Sequence, residues 1–339
     1  MSERDLNEIA RKIVENGKGV LAADESTGTI KKRLDSINVE NTEDNRRDYR
    51  ELLFRTTGHG EYVGGIILFD ETLRQKAADG TPLVDLIKAE GIAPGIKVDG
   101  GAKPLAGSPE ETVTEGLDGL SARCAEYREL GADFAKWRAV IKITDDLPSD
   151  YCIDVNAHAL ARYAKICQVN GLVPIVEPEV LMDGAHSLER CQEVTEATLQ
   201  ATFAALATQQ VELEGMLLKP NMVISGQDAS SRANVDEVAA ATVATLKRCV
   251  PAAVPGIVFL SGGQTEVEAT AHLDAMNKLG ALPWALSFSY GRALQASALK
   301  AWGGAAGNVD AAKAAYMHRA RMNWAAARAE YSADMENAA

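Results

Sequence analysis

Eight short runs rich in apolar and β-branched residues recur along the chain, and longer stretches with helical start and stop signals separate them. Strands that alternate with helices build βαβ units and therefore a parallel sheet. Eight units at nearly even spacing favour an α/β fold, a closed (β/α)8 TIM barrel, over an open doubly wound sheet. No GxGxxG motif follows a strand, which also disfavours a Rossmann fold. The predicted strands span residues 18–24, 62–69, 94–99, 134–141, 172–179, 216–222, 256–263 and 283–290.

The stretches between the runs carry sequence signals of helices. Thr265 with Glu268 has the spacing of a capping box, and Asn234 with Glu237 resembles a weaker one. The expected helices lie near residues 42–57, 116–130, 150–170, 187–213, 234–249, 292–302 and 309–330.

The length of 339 residues is compatible with one domain, because α/β barrels routinely reach about 250 residues or more without dividing. We therefore expect a single barrel domain over residues 1–339. An additional helix is predicted at about 5–16, before the first strand, and a C-terminal helix with a short tail at about 305–339.

The balance of 35 basic against 48 acidic residues gives a net charge of −13, which argues against nucleic acid as a partner. A small anionic substrate is still compatible, because salt screens distant charges beyond about 8–10 Å.

Membrane association is not expected, since no run of about 18 apolar residues is present, and residues 1–5 lack the apolar segment of a secretory signal. Five cysteines without a CxxC predict reduced, mostly buried thiols, and the scattered histidines predict no metal site.

Ionisable and small polar residues lie near the C-terminal ends of seven of the eight runs. A (β/α)8 barrel carries its catalytic groups at that end of its strands. Each residue alone could be a paired core charge, but the whole set favours an active site, because buried charges are unfavourable unless they are paired. The set is Asp24, Lys97, Lys136, Arg138, Glu177, Glu179, Lys219, Ser261-Gly262-Gly263 and Ser289-Tyr290-Gly291-Arg292.

Lys219 and Lys136 are the candidate reactive amine and its neighbouring cation. Apolar surroundings and a second cation both disfavour an ammonium, so we expect Lys219 to be available as a neutral amine. Such an amine attacks a ketone to form a Schiff base, whose iminium accepts electrons when a neighbouring C–C bond breaks. Glu177, Glu179 and Asp24 are the candidate general acids and bases.

Two groups of residues predict anion binding on opposite walls of the site. The small residues 261–263 expose backbone N–H groups, the helix that starts near Thr265 adds its dipole, and Arg292 offers charged donors. The opposite wall would use Lys97, Arg138, Ser26 and Arg33. Two anion sites beside a reactive amine indicate a bisphosphate substrate.

At these residues the sequence closely resembles the class I (Schiff-base) fructose-1,6-bisphosphate aldolases, in order from about residue 5 to 304. The matching segments are GKGVLAADESTGTIKKRL (17–34), GGIILF (64–69), GIKVD (95–99), PLAGS (104–108), GLDGLSARC (116–124), GADFAKWR (131–138), LVPIVEPE (172–179), LLKPNM (217–222), FLSGGQ (259–264) and FSYGRALQASALKAWGG (288–304).

The resemblance implies a (β/α)8 barrel, commonly a homotetramer, that reversibly cleaves fructose 1,6-bisphosphate in glycolysis or gluconeogenesis without a cofactor or a metal. By motif match, Lys219 would form the Schiff base and Glu177 would act as its acid and base. Glu179 would support Glu177, Asp24 would assist at the C4 hydroxyl, and Lys136 would stabilise developing charge and help to keep Lys219 neutral.

The resemblance also implies how sugar phosphates are held. Ser261, Gly262, Gly263, Ser289, Gly291 and Arg292 would bind the C1 phosphate, Arg33 would contact the substrate, and Ser26, Lys97 and Arg138 would lie near the C6 phosphate. The implied location is the cytoplasm, or the plastid stroma if a transit peptide has been removed.

The match is poor after residue 304. Many family members end in a tyrosine that assists proton exchange, whereas the last tyrosine here is Tyr331. Two other readings stay open at this point: a transaldolase-like enzyme that shares the lysine but needs only one phosphate wall, and a non-catalytic scaffold. A scaffold has no reason to keep Lys219, Lys136 and Glu177 together.

Overall fold

The computed structural model describes residues 5–337, and its centre is a closed barrel of eight parallel strands, as the sequence predicts. The barrel strands are β1 (Gly19–Ala23), β2 (Val63–Leu68), β3 (Ala93–Lys97), β6 (Phe134–Ile141), β7 (Val173–Val180), β8 (Leu217–Leu218), β9 (Gly256–Phe259) and β10 (Ala285–Tyr290). Each strand pairs with the next one named, and β10 closes the barrel on β1. Two further strands, β4 (Ala102–Leu105) and β5 (Ser108–Thr114), form an antiparallel hairpin.

Helices surround the barrel and connect its strands. Both capping boxes are present: Thr265 with Glu268 begins α10, and Asn234 with Glu237 begins α9. The helices are α1 (Leu6–Val14), α2 (Thr27–Asp35), α3 (Glu43–Phe54), α4 (Asp70–Arg74), α5 (Leu83–Ala89), α6 (Leu120–Glu129), α7 (Asp150–Val169), α8 (Leu188–Thr208), α9 (Val235–Cys249), α10 (Glu266–Lys278), α11 (Arg292–Trp302) and α12 (Val309–Ala327).

Helix α1 covers the end of the barrel where the strands begin. Its Ile13 and Val14 pack into a buried cluster with Val20 of β1 and Phe134 of β6. The helix approaches β2 so closely that a Cβ on Gly64 would stand 2.1 Å from the backbone oxygen of Ile13. Because α1 packs over this end, the carboxyl end of the strands is where polar side chains can meet solvent.

Strand β6 shows how the barrel separates its two faces. Trp137 is fully buried and stacks on Tyr163 of α7, with ring centroids 5.5 Å apart. Successive strand residues point to opposite faces, so Lys136 and Arg138 point into the barrel. Trp137 therefore faces the helix layer.

The largest differences between the predicted and observed strands concern a hairpin and the sixth and seventh barrel strands. The hairpin 102–114 was not predicted, because it is mostly polar and joins β6 through Thr112 and Thr114 side chains that donate to backbone carbonyls. The sixth barrel strand is much shorter than 216–222, since Pro220 lacks an N–H for the ladder. The seventh ends at Phe259 rather than residue 263, because Gly263 turns the chain at a φ of +74°.

The five cysteines are free thiols, four of them buried. No helix in the described part of the chain is long and apolar enough to cross a membrane. Residues 1–4, where no signal segment was expected, and 338–339 lie outside the described residues.

Candidate active site

Strand register brings the predicted catalytic side chains together. Lys97 of β3 lies opposite Lys136 of β6, and Arg138 of β6 lies opposite Glu177 of β7. Pairing of β7 with β8 places Glu177 beside Lys219, the first residue after β8. Five residues that are up to 122 positions apart in sequence therefore share one end of the barrel.

These side chains line a cavity of about 240 Å³ at the carboxyl ends of the strands. It includes 14 of the 15 residues predicted for the site, and Gly263 follows immediately after Gly262 at its edge. The lining residues are Ala22, Asp24, Glu25, Ser26, Thr29, Arg33, Lys97, Lys136, Arg138, Glu177, Glu179, Lys219, Leu260, Ser261, Gly262, Ser289, Gly291 and Arg292.

The floor of the cavity is a buried cluster of two lysines and two carboxylates. Lys136 Nζ lies 2.7 Å from Oδ2 of Asp24 and 3.2 Å from Oε2 of Glu177. Lys219 Nζ lies 3.2 Å from the other oxygen of Glu177, Oε1. The second Lys136 contact is an ion pair without hydrogen-bond alignment, since Oε2 has no aligned donor among residues 5–337. Each charge thus has a counter-charge, as burial requires.

The opposite charges in this cluster shift each other's pKa so that the groups stay ionised. Burial alone would raise the pKa of Asp24, but Lys136, and then Lys219 and Lys97, lower it to about 2. Burial would also raise the pKa of Glu177, and Lys136 and Lys219 lower it instead. For Lys136, burial would lower the pKa, yet Asp24 and Glu177 raise it above its ordinary value. The two carboxylates are therefore anions, and Lys136 is a cation.

The surroundings of the Lys219 amine differ from the expectation. The sequence predicts apolar surroundings, because Leu218 and Pro220 flank the lysine. In the structure, Nζ faces the Glu177 carboxylate, since the side chain points into the barrel while its apolar neighbours belong to the wall. An acceptor for a proton of Lys219 is consequently in place.

Glu179 is bound to Arg138 rather than to a lysine. The Arg138 Nε donates to Oε2 of Glu179, and the Glu179 side chain is buried while that of Arg138 is 42% exposed. Burial would lower the pKa of Arg138, but Glu179 raises it above its ordinary value. Arg138 therefore spans from a buried carboxylate to the cavity mouth.

One wall of the cavity is formed by backbone and small polar groups. Helix α11 begins at Arg292 directly after Gly291, and among the described residues no side chain caps it. Ser289 is 1% exposed, and its Oγ has no hydrogen-bond partner within residues 5–337. An uncapped helix start beside an unpaired hydroxyl is suited to an anion.

The other predicted helix start is less available to an anion. Thr265 N–H donates to Glu268 Oε2 at 2.8 Å, and Glu268 N–H donates to Thr265 Oγ1 at 3.2 Å. This capping box occupies N–H donors at the start of α10 and adds a carboxylate there. The loop 261–263 and the start of α11 therefore fit an anion better than the start of α10.

Arg33, which the sequence places on the opposite wall with Lys97 and Arg138, instead extends from α2 to the wall of Arg292. Burial, and then the neighbouring Arg292 guanidinium, lower the pKa of Arg33. The two guanidiniums repel each other, and an anion bound between them would offset that repulsion. Lys97 and Arg138 also line the cavity, with Ser26, and their strands β3 and β6 lie across the barrel from β9 and β10, so cations stand on two sides of the central cluster.

Sequence reasoning missed the residues that hold the end of β1. Arg50 of α3 is 2% exposed, donates to the Ala23 carbonyl, and lies 2.9 Å from Oε2 of Glu25. Gln295 of α11 donates to Oε1 of Glu25 at 3.1 Å. Glu25 adjoins Asp24, which was the available signal, whereas Arg50 lies in a strongly charged helix and has no local signature.

Neither a metal-ligand cluster nor the last tyrosine is part of the described site. Within residues 5–337, no three His, Cys, Asp or Glu side chains are grouped so that they could hold a metal ion. The last tyrosine, Tyr331, is buried away from the cavity, and its hydroxyl donates to Glu336 Oε1 at 2.9 Å.

Comparison with known proteins agrees with this geometry. The family model for fructose-bisphosphate aldolase class-I matches residues 5–339. The non-muscle fructose-bisphosphate aldolase of Lethenteron camtschaticum is 59% identical over 97% of this chain and 91% of its own length. The cytosolic fructose-bisphosphate aldolase 4 of Arabidopsis thaliana is 59% identical over 94% of this chain and 82% of its own.

Similarity extends to a solved structure. Fructose-bisphosphate aldolase of Plasmodium falciparum, solved in complex with TRAP and a small-molecule inhibitor, superposes with a TM-score of 0.96 at 52% identity. The match covers 96% of this chain and 95% of that one. The chain described here therefore belongs to the class I fructose-bisphosphate aldolase family and is a lyase of that class.

Proposed function

We propose that the chain catalyses the reversible aldol cleavage of fructose 1,6-bisphosphate to dihydroxyacetone phosphate and glyceraldehyde 3-phosphate through a Schiff base on Lys219. The observation that carries the proposal is the 3.2 Å contact between Lys219 Nζ and Glu177 Oε1 in a cavity with cations on two sides. A primary amine attacks a ketone carbon, and the adjacent carboxylate takes and returns the protons of that reaction.

In the cleavage direction, Lys219 passes a proton to Glu177 and attacks C2 of the open-chain sugar. Loss of water gives an iminium. The C3–C4 bond then breaks, its electron pair moves toward the iminium nitrogen to form an enamine, and the C4 hydroxyl proton passes to Asp24 as the aldehyde leaves. Protonation of the enamine at C3 and addition of water at C2 release dihydroxyacetone phosphate and restore the amine.

Lys136 and Glu179 act on the reaction through their charges. Lys136, which Asp24 and Glu177 keep protonated, stabilises the negative charge that develops on the C4 oxygen. Glu179 acts on the site electrostatically and by fixing Arg138.

The two phosphates occupy opposite sides of the cluster. The C1 phosphate is bound by Ser261, Gly262, Gly263, Ser289, Gly291 and Arg292, with Arg33 as a further contact. The C6 phosphate lies near Ser26, Lys97 and Arg138. The free Ser289 Oγ and the uncapped start of α11 support the first of these sites.

We assign this activity to glycolysis and gluconeogenesis in the cytoplasm, carried out by a homotetramer without metal or cofactor. The free thiols and the cytosolic relative from Arabidopsis support the location. The tetramer is implied by membership of the family.

Trapping tests the nucleophile directly. Borohydride added with dihydroxyacetone phosphate should reduce the imine and leave one covalent adduct on the peptide that contains Lys219, detected by mass spectrometry. The Lys219→Met chain should give no adduct. Label on another lysine, or activity lost with EDTA and restored by zinc, would contradict the mechanism.

A further inference from the structure

Asp99 is a buried carboxylate that contacts Lys97, a residue of the active-site cavity, and the mechanism does not use it. Its side chain is 2% exposed and follows β3 by two residues. Oδ1 lies 3.4 Å from Lys97 Nζ and accepts the N–H of Gly101 at 3.1 Å. Oδ2 accepts the backbone N–H of Arg138 at 3.3 Å. One carboxylate thus contacts both residues that bear the cations of the proposed C6 phosphate site.

The position of Asp99 in the barrel explains these contacts. The β3–β6 ladder continues as far as the Val98 N–H, which donates to the Lys136 carbonyl at 3.0 Å. Beyond that point the ladder stops: the Val98 carbonyl, which would continue it, accepts from Arg123 Nη1 at 2.8 Å, and the N–H of Arg138 donates to Asp99 instead. Asp99 Oδ2 takes the place of that carbonyl and so ties the segment that follows β3 to β6.

The same side chain limits where Lys97 can place its ammonium. Lys97 is 19% exposed and lies at the cavity wall. A lysine side chain has several rotatable bonds and loses much rotamer freedom when it binds an anion. A fixed counter-charge reduces that loss before the ligand arrives, because it holds Nζ near the cavity in the free protein.

We propose that Asp99 is a positioning residue for the C6 phosphate: it holds the Lys97 ammonium and the Arg138 backbone in the arrangement that selects a sugar 1,6-bisphosphate over the corresponding 1-monophosphate. This inference rests on the proposed function. Asp99 itself contacts no reacting atom.

The test compares two substrates on the full chain. Asp99→Asn keeps the size of the side chain but replaces one oxygen by an NH2 group, which must face either Lys97 and the Gly101 N–H or the Arg138 N–H. For fructose 1,6-bisphosphate we expect KM to rise about tenfold, the loss of roughly one charge-assisted contact, with kcat nearly unchanged. For fructose 1-phosphate, which has no C6 phosphate, kcat/KM should stay unchanged.

A decrease in KM for the bisphosphate would contradict the proposal. If Asp99 only competes with the phosphate for Lys97, its neutralisation lowers KM for the bisphosphate, and the proposal is overturned. An equal loss for both substrates would also overturn it, because it would show a general structural role. Should the asparagine chain fail to fold, Asp99→Ser, which keeps a small polar acceptor, is measured in the same way.

Two further variants make the test specific. Lys97→Met should also lower the preference for the bisphosphate. In the double variant, Asp99→Asn should change this preference less than it does in the otherwise unmodified chain. Fully additive changes would overturn the link through Lys97. Asp274→Asn is the matched control, because Asp274 is a buried carboxylate 2.5 Å from Lys278 on α10. It should lower stability and leave the substrate preference unchanged, and a changed preference would overturn the proposal.

The proposed function is checked separately in the unmodified chain. Absence of the borohydride adduct at Lys219 refutes the Schiff-base mechanism whatever Asp99 does. A trapped adduct together with an unchanged substrate preference in Asp99→Asn refutes only the role of Asp99.

Discussion

Lys219 and Glu177 stand side by side on neighbouring strands, with Nζ and Oε1 3.2 Å apart, although they are 42 positions apart in the sequence. Both side chains are about 5% exposed or less. A proton can therefore move between the nucleophile and its base without passing through bulk water. This contact makes the chemistry of the site sensitive to the identity of residue 219.

Lys219→Arg should abolish turnover, although it preserves the positive charge. A guanidinium stays protonated at all accessible pH values and forms no imine. We expect kcat to fall by about 10⁴-fold or more, on the scale seen when a nucleophile is removed. Lys247→Arg, an exposed lysine on α9, is the control and should retain full activity. Substantial residual turnover in Lys219→Arg would place the nucleophile elsewhere.

Arg292→Ala should weaken the binding of phosphate ligands. The loss should be about 1.5–3 kcal/mol, the range for hydrogen bonds to charged groups, and exposure of the side chain favours the lower end. Calorimetric titration with a hexitol 1,6-bisphosphate, which lacks the ketone, measures binding without reaction. Arg248→Ala removes an equally charged, exposed side chain on α9 and should not change affinity. Unchanged affinity in Arg292→Ala would remove this residue from the site.

Asp24 should contribute to stability in a pH-dependent manner. Its pKa is about 2 in the folded chain against an ordinary 3.8, so its ionised form stabilises the fold above pH 3.8 and the contribution disappears as pH falls toward 2. Between pH 5 and pH 3, about 1 kcal/mol should be lost. In Asp24→Asn this part of the acid destabilisation should be absent.

Urea denaturation at intervals between pH 5 and pH 3 measures this difference. Asp236→Asn, an exposed aspartate in the first turn of α9, provides the comparison and should follow the wild-type curve. Parallel curves for the wild type and Asp24→Asn would show that the carboxylate is not held ionised by Lys136.

Gly263→Ala should destabilise the loop of the C1 phosphate site. A Cβ at this position would stand 2.3 Å from Cγ of Met182, and the φ of +74° is strained for any other residue. The two effects together should lower the free energy of unfolding by about 2–4 kcal/mol. Gly28→Ala is the control: nothing lies within 4 Å of its Cβ, and an alanine in α2 should be neutral or stabilising. A fully stable Gly263→Ala chain would contradict the packing described.

The barrel could be predicted because its signals are local. Apolar runs of six to eight residues, capping boxes and the two-residue spacing of Lys136 and Arg138 each depend on neighbours in the sequence. The charged strand residues of the site followed from one physical rule, that charges inside apolar runs need a reason to be there.

Contacts across strands could not be predicted in the same way. Whether Lys219 meets Glu177 or Glu179 depends on strand register, and a shift of two residues would exchange them. Asp99 and Arg50 gave no signal, because a single aspartate after a strand or an arginine in a charged helix is common. The hairpin 102–114 was missed because its residues are polar and exposed.

The four central charges of the floor cluster cancel: two lysines face two carboxylates, whereas the arginines and Lys97 lie around them. Recognition of the anionic ends of a ligand is thus separated in space from the groups that break bonds. Evolution or design can retune affinity at the rim, one cation at a time, while the neutral centre keeps its proton-transfer arrangement intact.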